Sequence, residues 1–171
     1  MKNKPFERVN EKQVSQTFVL NKTNVSKQRK AKYRLGVFAV VYARGETGVE
    51  YLLLKRKKHW IGWEFTKGGV EKGEKEIETA EREIKEETGL RTVNIKKYNK
   101  SGKYLYDEKT KKDRKYDGQS YSLYSAEVIK GMIKIDKKEH LGFKWVDFKD
   151  AVKMLTWENQ RECLRIVDKK I

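Results

Sequence analysis

The chain has little that would fix its fold covalently or anchor it in a bilayer. Among its 171 residues Cys163 is the single cysteine, which excludes an internal disulfide and a thiolate zinc cluster and suits a reducing, cytoplasmic setting. No apolar run approaches the roughly 18 residues of a membrane span. The basic opening Met1-Lys2-Asn3-Lys4-Pro5 is followed by no apolar stretch, so no secretory leader is expected. Histidine is scarce too, and His59 and His140 stand isolated in the sequence. Acid is outnumbered by base: 25 Asp and Glu against 41 Lys and Arg leave a formal net charge of +16. That balance favours polyanionic partners such as nucleotides, RNA, inositol polyphosphates or anionic lipid surfaces, without choosing among them.

What is present suffices for one domain with a full core. Nine Tyr, six Phe and four Trp supply aromatic bulk, which excludes global disorder in spite of 39% charged residues. The charge is unevenly placed. Residues 1–34 carry ten Lys and Arg against Glu7 and Glu11, and residues 96–115 carry nine basic against three acidic side chains. Residues 64–87 reverse the sign, with nine Glu against five basic residues. An acidic island in a basic chain is what a cation site facing an anionic substrate requires.

Residues 1–32 show no sustained periodicity, apart from a short strand candidate at Phe18-Val19-Leu20, and read as a basic extension that is partly ordered at best. Leu35–Tyr42 has the composition of a buried strand, Gly45–Gly48 makes a turn, and Tyr51–Leu54 returns as the partner of a hairpin. Trp60–Phe65 leads into a glycine-punctuated loop through Gly68, Gly69 and Gly73. Lys75–Thr88 is a helix with Ile77, Ala80 and Ile84 on one apolar stripe and Gly89 as its stop. Strands follow at Val93–Ile95, Lys103–Tyr106, Tyr121–Val128 and Phe143–Val146, with a charged hairpin loop over Asp107–Asp117. Asp147–Lys169 reads as helical, with Val152, Leu155, Cys163, Leu164 and Val167 inward. A mixed sheet with an intervening loop-helix and a terminal helix predicts an α/β sandwich.

On the first helix Glu83, Glu86 and Glu87 lie at i, i+3 and i+4 and share a face. Like charges at that spacing repel unless a cation neutralises them. Magnesium or manganese suits such hard oxygen donors, and a phosphate substrate completes the shell. Glu74 stands ahead of the helix, as a further oxygen or as a cap on its N-terminus. Arg82 is placed to pair with Glu86 or to reach back to Glu78.

Gly68, Glu74 and the run Arg82-Glu83-Ile84-Lys85-Glu86-Glu87-Thr88-Gly89-Leu90 match every fixed position of the Nudix box. A chance match in a chain of this length is on the order of 10⁻⁶ from ordinary residue frequencies. The chain therefore resembles a Nudix hydrolase over residues 33–169, which leaves the basic N-terminal segment unexplained. The resemblance implies an α/β/α sandwich with a loop-helix-loop catalytic module and metal-dependent hydrolysis of a nucleoside diphosphate derivative. By the same resemblance Glu83, Glu86 and Glu87 bind metal with the Gly68 carbonyl. Arg82 orients a glutamate, and one of the box carboxylates deprotonates the attacking water.

The flanks speak to substrate. Trp63-Glu64-Phe65-Thr66-Lys67-Gly68-Gly69 is similar to the entry of the box in asymmetric diadenosine tetraphosphate hydrolases and in RNA 5′-pyrophosphohydrolases and decapping enzymes. That similarity makes Lys67 a phosphate contact, although Thr66 stands where those groups carry proline. Glu139-His140 followed by Trp145 is similar to a late segment of the same hydrolases and makes Glu139 a further metal ligand. Tyr106 and Tyr121, flanking the charged loop, are expected to stack a base, and Trp63 and Trp145 to lie in the core. A dinucleoside polyphosphate is the expected substrate. RNA 5′-end pyrophosphohydrolysis, with RNA held by the basic N-terminal segment, is the alternative. A diphosphoinositol polyphosphate substrate and a non-catalytic nucleotide- or RNA-binding module stand behind these, the last opposed by the full set of box carboxylates.

Overall fold

The computed structural model describes residues 29–171. The strand candidate at Phe18–Leu20 and the anticipated extension up to residue 28 lie outside them. Residues 29–32 form neither helix nor strand, and strand β1 begins at Tyr33.

Seven strands occur among the described residues: β1 (Tyr33–Gly45), β2 (Gly48–Arg56), β3 (Gly62–Glu64), β4 (Thr66–Gly69), β5 (Thr92–Leu105), β6 (Gly118–Val128) and β7 (His140–Val146). They form one mixed sheet in the order β3-β2-β1-β6-β5, with β4 also on β1 and β7 also on β2. The predicted hairpin is present, since β1 and β2 pair antiparallel around the Gly45–Gly48 turn. The partner of β1 on its other side is β6, in parallel register from Tyr33 opposite Gly118 to Tyr42 opposite Glu127.

β1 is apolar on both faces, as befits a strand covered on both sides. Phe38, Val40 and Tyr42 join a cluster that includes Ala151, Leu155, Cys163, Leu164 and Val167. Val37, Ala39, Val41 and Ala43 join a second cluster around Ala80 and Ile84. The helix α1 (Glu76–Thr88) thus covers one face, and the helices α3 (Phe148–Met154) and α4 (Glu158–Asp168) cover the other. This is the expected mixed α/β sandwich. Burying one such side chain as fully as Ile84 contributes about 1.5–3 kcal/mol. Trp63 and Trp145 pack against these two clusters, though neither is fully buried. Ile77 was expected inward and is 40% exposed, so the inward stripe of α1 narrows to Ala80 and Ile84.

Three segments differ from the sequence reading. The Asp107–Asp117 loop contains a two-turn helix, α2 (Glu108–Arg114), because Asp107 caps it, its Oδ1 accepting from Thr110 N at 2.8 Å. The strands expected at Val93–Ile95 and Lys103–Tyr106 are one irregular strand, β5, which keeps pairing with β6 through two register shifts. The C-terminal helix is split at Leu155, whose extended ψ of 130° serves a parallel bridge to Trp63. Thr156 N donates to Trp63 O at 3.1 Å and Trp63 N to Thr156 Oγ1 at 3.0 Å. Pairing with β3 therefore outweighs helix continuity there. No helix among the described residues is long and apolar enough to cross a membrane.

Candidate active site

Strand β4 and helix α1 are joined by a turn through Gly73, whose φ of +85° suits glycine. The helix ends at Gly89, φ +75°, whose N–H donates to Lys85 O at 2.8 Å. Between these two glycines lie seven of the nine glutamates of the acidic island. Its organiser is Arg82. The guanidinium Nε donates to Glu74 Oε1 at 2.8 Å and Nη2 to Glu74 Oε2 at 3.0 Å, a bidentate pair. Nη1 reaches both Glu83 Oε1 and Glu86 Oε2 at 3.0 Å, and Nη2 also donates to Gly69 O at 3.2 Å. The expected Arg82–Glu86 pair is thus formed. Glu78 instead accepts from Lys75 N at 2.9 Å, at the start of the helix. Glu74 neither caps the helix nor stays free: it also accepts from Thr79 Oγ1 at 2.7 Å and Glu71 N at 3.0 Å. Hydrogen bonding from Arg82 holds its carboxyl down at about 2.

The approach of α1 to β4 depends on Gly68. A Cβ there would fall on the Glu83 carboxyl group, so only glycine lets this carboxylate close on the strand. Burial raises the Glu83 carboxyl above its ordinary range, against the pull of Arg82. Glu87 is in a harsher position. It is 5% exposed, its Oε2 has no hydrogen-bond partner, and burial followed by the charges of Glu64 and Glu83 pushes its pKa well up. A buried carboxylate without a donor is costly unless protonated or neutralised by a cation. The oxygen-only donor set of Glu83, Glu86, Glu87 and the Gly68 carbonyl fits a hard divalent ion in chemistry. Among the described residues no three acidic or histidine side chains already converge into a metal cage, and the Arg82 guanidinium links Glu74, Glu83 and Glu86 instead.

Behind Glu87 lies a group of residues that sequence spacing did not bring together. Arg56, 3% exposed, donates from Nη1 to Glu64 Oε1 at 2.8 Å and from Nη2 to Glu139 Oε2 at 3.2 Å. Glu64 is fully buried; burial alone would raise its pKa, but Lys67 and Arg56 bring it to about 2. Glu139 also accepts from Lys58 Nζ at 2.5 Å, and burial is outweighed by Lys58 and Arg56, so its carboxyl lies below the ordinary range. His140, isolated in the sequence, is buried with Nε2 3.7 Å from Glu64 Oε1 and 4.0 Å from Glu87 Oε1.

Arg56 and Glu139 open onto a cleft of about 680 Å³ that is also lined by Glu83, Glu86, Glu87, Arg82, Gly68, Lys67 and Tyr106. Lys67 faces the cleft while paired to Glu64. Tyr106 lies beneath the Arg114 guanidinium, 5.3 Å from its ring centroid, and edge-on to Tyr104 at 5.8 Å. Tyr121 is a correction. It is 4% exposed and stacked on Phe38 at 3.9 Å and 7°, so both sides of its ring are committed to the core and none is open to a base.

Gln119 was missed entirely. Buried on β6, it accepts from Tyr106 Oη at 2.8 Å and donates from Nε2 to Gly68 O at 3.2 Å, so one amide spans the aromatic wall and the glycine carbonyl. Arg34, Trp60 and Trp157 also line the cleft and carried no local signal. Thr66 places a buried Oγ1 without a hydrogen-bond partner in β4.

The chain is 31% identical over 135 residues to an RNA pyrophosphohydrolase of Nitratiruptor sp., covering 75% of this chain and 86% of that one. It is 27% identical over 123 residues to the asymmetrical bis(5′-nucleosyl)-tetraphosphatase of Rattus norvegicus, covering 70% and 78% respectively. Among solved structures, an Ap4A hydrolase binary complex from C. elegans superposes with a TM-score of 0.64 at 24% identity, over 80% of this chain and 96% of that one. The NUDIX domain model matches residues 32–165, most of the chain, and the chain belongs to the Nudix hydrolase family.

Proposed function

We propose that this Nudix pyrophosphohydrolase cleaves the polyphosphate bridge of a dinucleoside polyphosphate such as diadenosine tetraphosphate, with magnesium or manganese, in the cytoplasm. The observation that carries the reading is the composition of the cleft. One cavity of about 680 Å³ is lined by the acidic face of α1, by Arg34, Lys67 and Arg114, and by the rings of Tyr104 and Tyr106. Carboxylates for a cation, guanidinium groups for phosphate and a ring for a base are the three chemistries this substrate needs.

Nudix hydrolases use divalent metal, which supplies a Lewis acid that neutralises phosphoryl charge and acidifies water. Glu83, Glu86, Glu87 and the Gly68 carbonyl would hold it, with Glu139 as a further ligand. Arg82 orients the carboxylates of Glu83 and Glu86 and keeps Glu74 ionised. One box carboxylate accepts the proton of the attacking water. Arg34, Lys67 and Arg114 attract and align the polyphosphate, and Tyr106 stacks one base. No covalent nucleophile is required.

A second reading, pyrophosphohydrolysis at an RNA 5′ end, is favoured by the Nitratiruptor relative and by the ten basic residues within positions 1–34. A panel of diadenosine tetraphosphate, 5′-triphosphorylated RNA and nucleoside triphosphates, assayed with each metal at two salt concentrations, decides between them. Turnover of the dinucleotide with little salt dependence is expected. Cleavage of RNA alone, falling steeply with salt, would replace the first reading by the second.

A further inference from the structure

The cleft has a second aromatic wall that the reaction as described does not use. Trp60 follows β2 and Trp157 begins α4, and both line the cleft. Their ring centroids lie 5.4 Å apart at an interplanar angle of 73°. Three separate features put them there. His59 takes a left-handed φ of +72°, uncommon for a residue with a side chain, and turns the backbone just before Trp60. Gly62 makes room for both segments, because a Cβ there would strike the Trp60 ring and Thr156 Oγ1. The break between α3 and α4, pinned to β3 through Thr156 and Trp63, places Trp157.

The two indoles are not equivalent. Trp60 lies against the Lys67 ammonium, 5.2 Å from its ring centroid, and braces Trp157 edge to face. Trp157 remains 49% exposed. An indole held rigid and half bare on the wall of a charged cleft offers a π surface to a ligand. Two residues further on, Asn159 lines the same cleft, and its Oδ1 is buried with no hydrogen-bond partner. A stranded acceptor beside an open ring matches a nucleobase that donates from an exocyclic amino group. The Lys67 ammonium lies 5.2 Å from the Trp60 ring and 5.9 Å from that of Tyr104, so one cation borders both aromatic walls.

We propose that Trp157, braced by Trp60, and Asn159 form a second nucleobase platform, distinct from Tyr106, for an amino-bearing base at the other end of the substrate. The proposal rests on the dinucleoside polyphosphate reading and extends it: a substrate with a base at each end fills two ring sites on either side of a cationic polyphosphate path. It also predicts a preference for adenine over hypoxanthine, whose 6-oxo group would face the Asn159 oxygen.

The test separates binding from hydrolysis. Indole fluorescence of the full chain is titrated in excess chelator with diadenosine tetraphosphate and, as the control lacking a base, inorganic tripolyphosphate. Quenching of the wild-type chain by the dinucleotide alone supports the platform, and because Trp157 is itself the fluorophore the variants are compared by calorimetric affinity, which should fall in Trp157→Ala and return in Trp157→Phe. In turnover assays Trp157→Ala should raise KM for the dinucleotide by about 10-fold, with a much smaller change in kcat. Asn159→Ala should narrow the preference for the adenosine over the inosine dinucleotide, and circular dichroism verifies that each variant is folded. An unchanged KM in folded Trp157→Ala, or equal quenching by tripolyphosphate, overturns the platform whatever the enzyme hydrolyses. Base-dependent quenching without hydrolysis of diadenosine tetraphosphate would support the platform and remove the substrate reading instead.

Discussion

Helix α1 sends its carboxylates into two environments that handle charge in opposite ways. On one side Glu74, Glu83 and Glu86 share the Arg82 guanidinium, which lies within the same short stretch of chain and is itself partly exposed. On the other side Glu87 is buried against Glu64 and His140, while the nearby cations Arg56 and Lys67 are spent on Glu64 and Glu139. The first group has a donor for each carboxylate, although one guanidinium charge is shared among three. The second leaves one carboxylate oxygen without a donor. The difference teaches where a divalent cation would gain most: next to Glu87, where the protein has charge but no partner for it.

Activity should break this contrast first and stability should sharpen it. Glu86→Gln and Glu87→Gln are each expected to lower kcat by about 10²–10⁴-fold, read from phosphate or nucleotide release. In metal-free protein they should part company. Glu87→Gln removes a carboxyl that burial disfavours as an anion and should not lower the melting temperature at pH 8. A clear loss of stability there would mean that Glu87 is already compensated.

The next largest effect is structural. Arg56→Met takes one of the two cations from Glu64, which has no exposure and keeps Lys67 alone, and is expected to cost about 3 kcal/mol in urea unfolding. Arg82→Met, whose side chain is 24% exposed, should cost less, about 1–2 kcal/mol, while lowering kcat. Equal losses would erase the distinction between the two sides of the helix. Gln119→Leu removes the donor to Gly68 O and the acceptor for Tyr106, for about 1–3 kcal/mol. Gln119→Glu keeps an acceptor for Tyr106 but loses the donor to Gly68. The manganese activation midpoint should therefore move in both variants, and the nucleotide KM more in the leucine one.

The smallest effect is on the acid limb of stability. Glu74 is held at about 2, against an ordinary glutamate value of about 4.3. Its contribution is present above the ordinary value and is lost as pH falls through the lowered one. Glu74→Gln should melt below the wild type at pH 6, by about 1 kcal/mol, and the gap should close near pH 2. A gap that persists at pH 2 would point to packing rather than charge.

Much of this was legible locally. The i, i+3, i+4 spacing of Glu83, Glu86 and Glu87, the Gly89 stop and the Arg82–Glu86 pair all follow from helix geometry over a few residues. The α2 helix was equally local, through the Asp107 cap on Thr110, and the charge of the segment masked it. Other features had no local signature. Tyr121 and Tyr106 read alike as tyrosines beside a charged loop, yet one stacks on Phe38 and the other borders the cleft. Nothing in its neighbourhood marks Leu155 as a break, because the bridge that bends it comes from Trp63.

The helical spacing by itself determined which carboxylates share a face, because short-range periodicity dictates which side chains lie together on a helix, and the match of that run to the Nudix box implied the reaction class. Tertiary structure alone decided the surroundings of that face. Arg56, Glu64, Gln119, Glu139 and His140 come from separate strands and the segment before β7, and strand pairing between distant segments brings Arg56, Gln119 and Glu139 to the cleft and sets Glu64 and His140 against each other away from its lining. Their surroundings then set their charge, since a buried carboxyl group is lowered beside the Lys67 ammonium and the Arg56 guanidinium, as Glu64 is, and raised where burial goes uncompensated, as at Glu87.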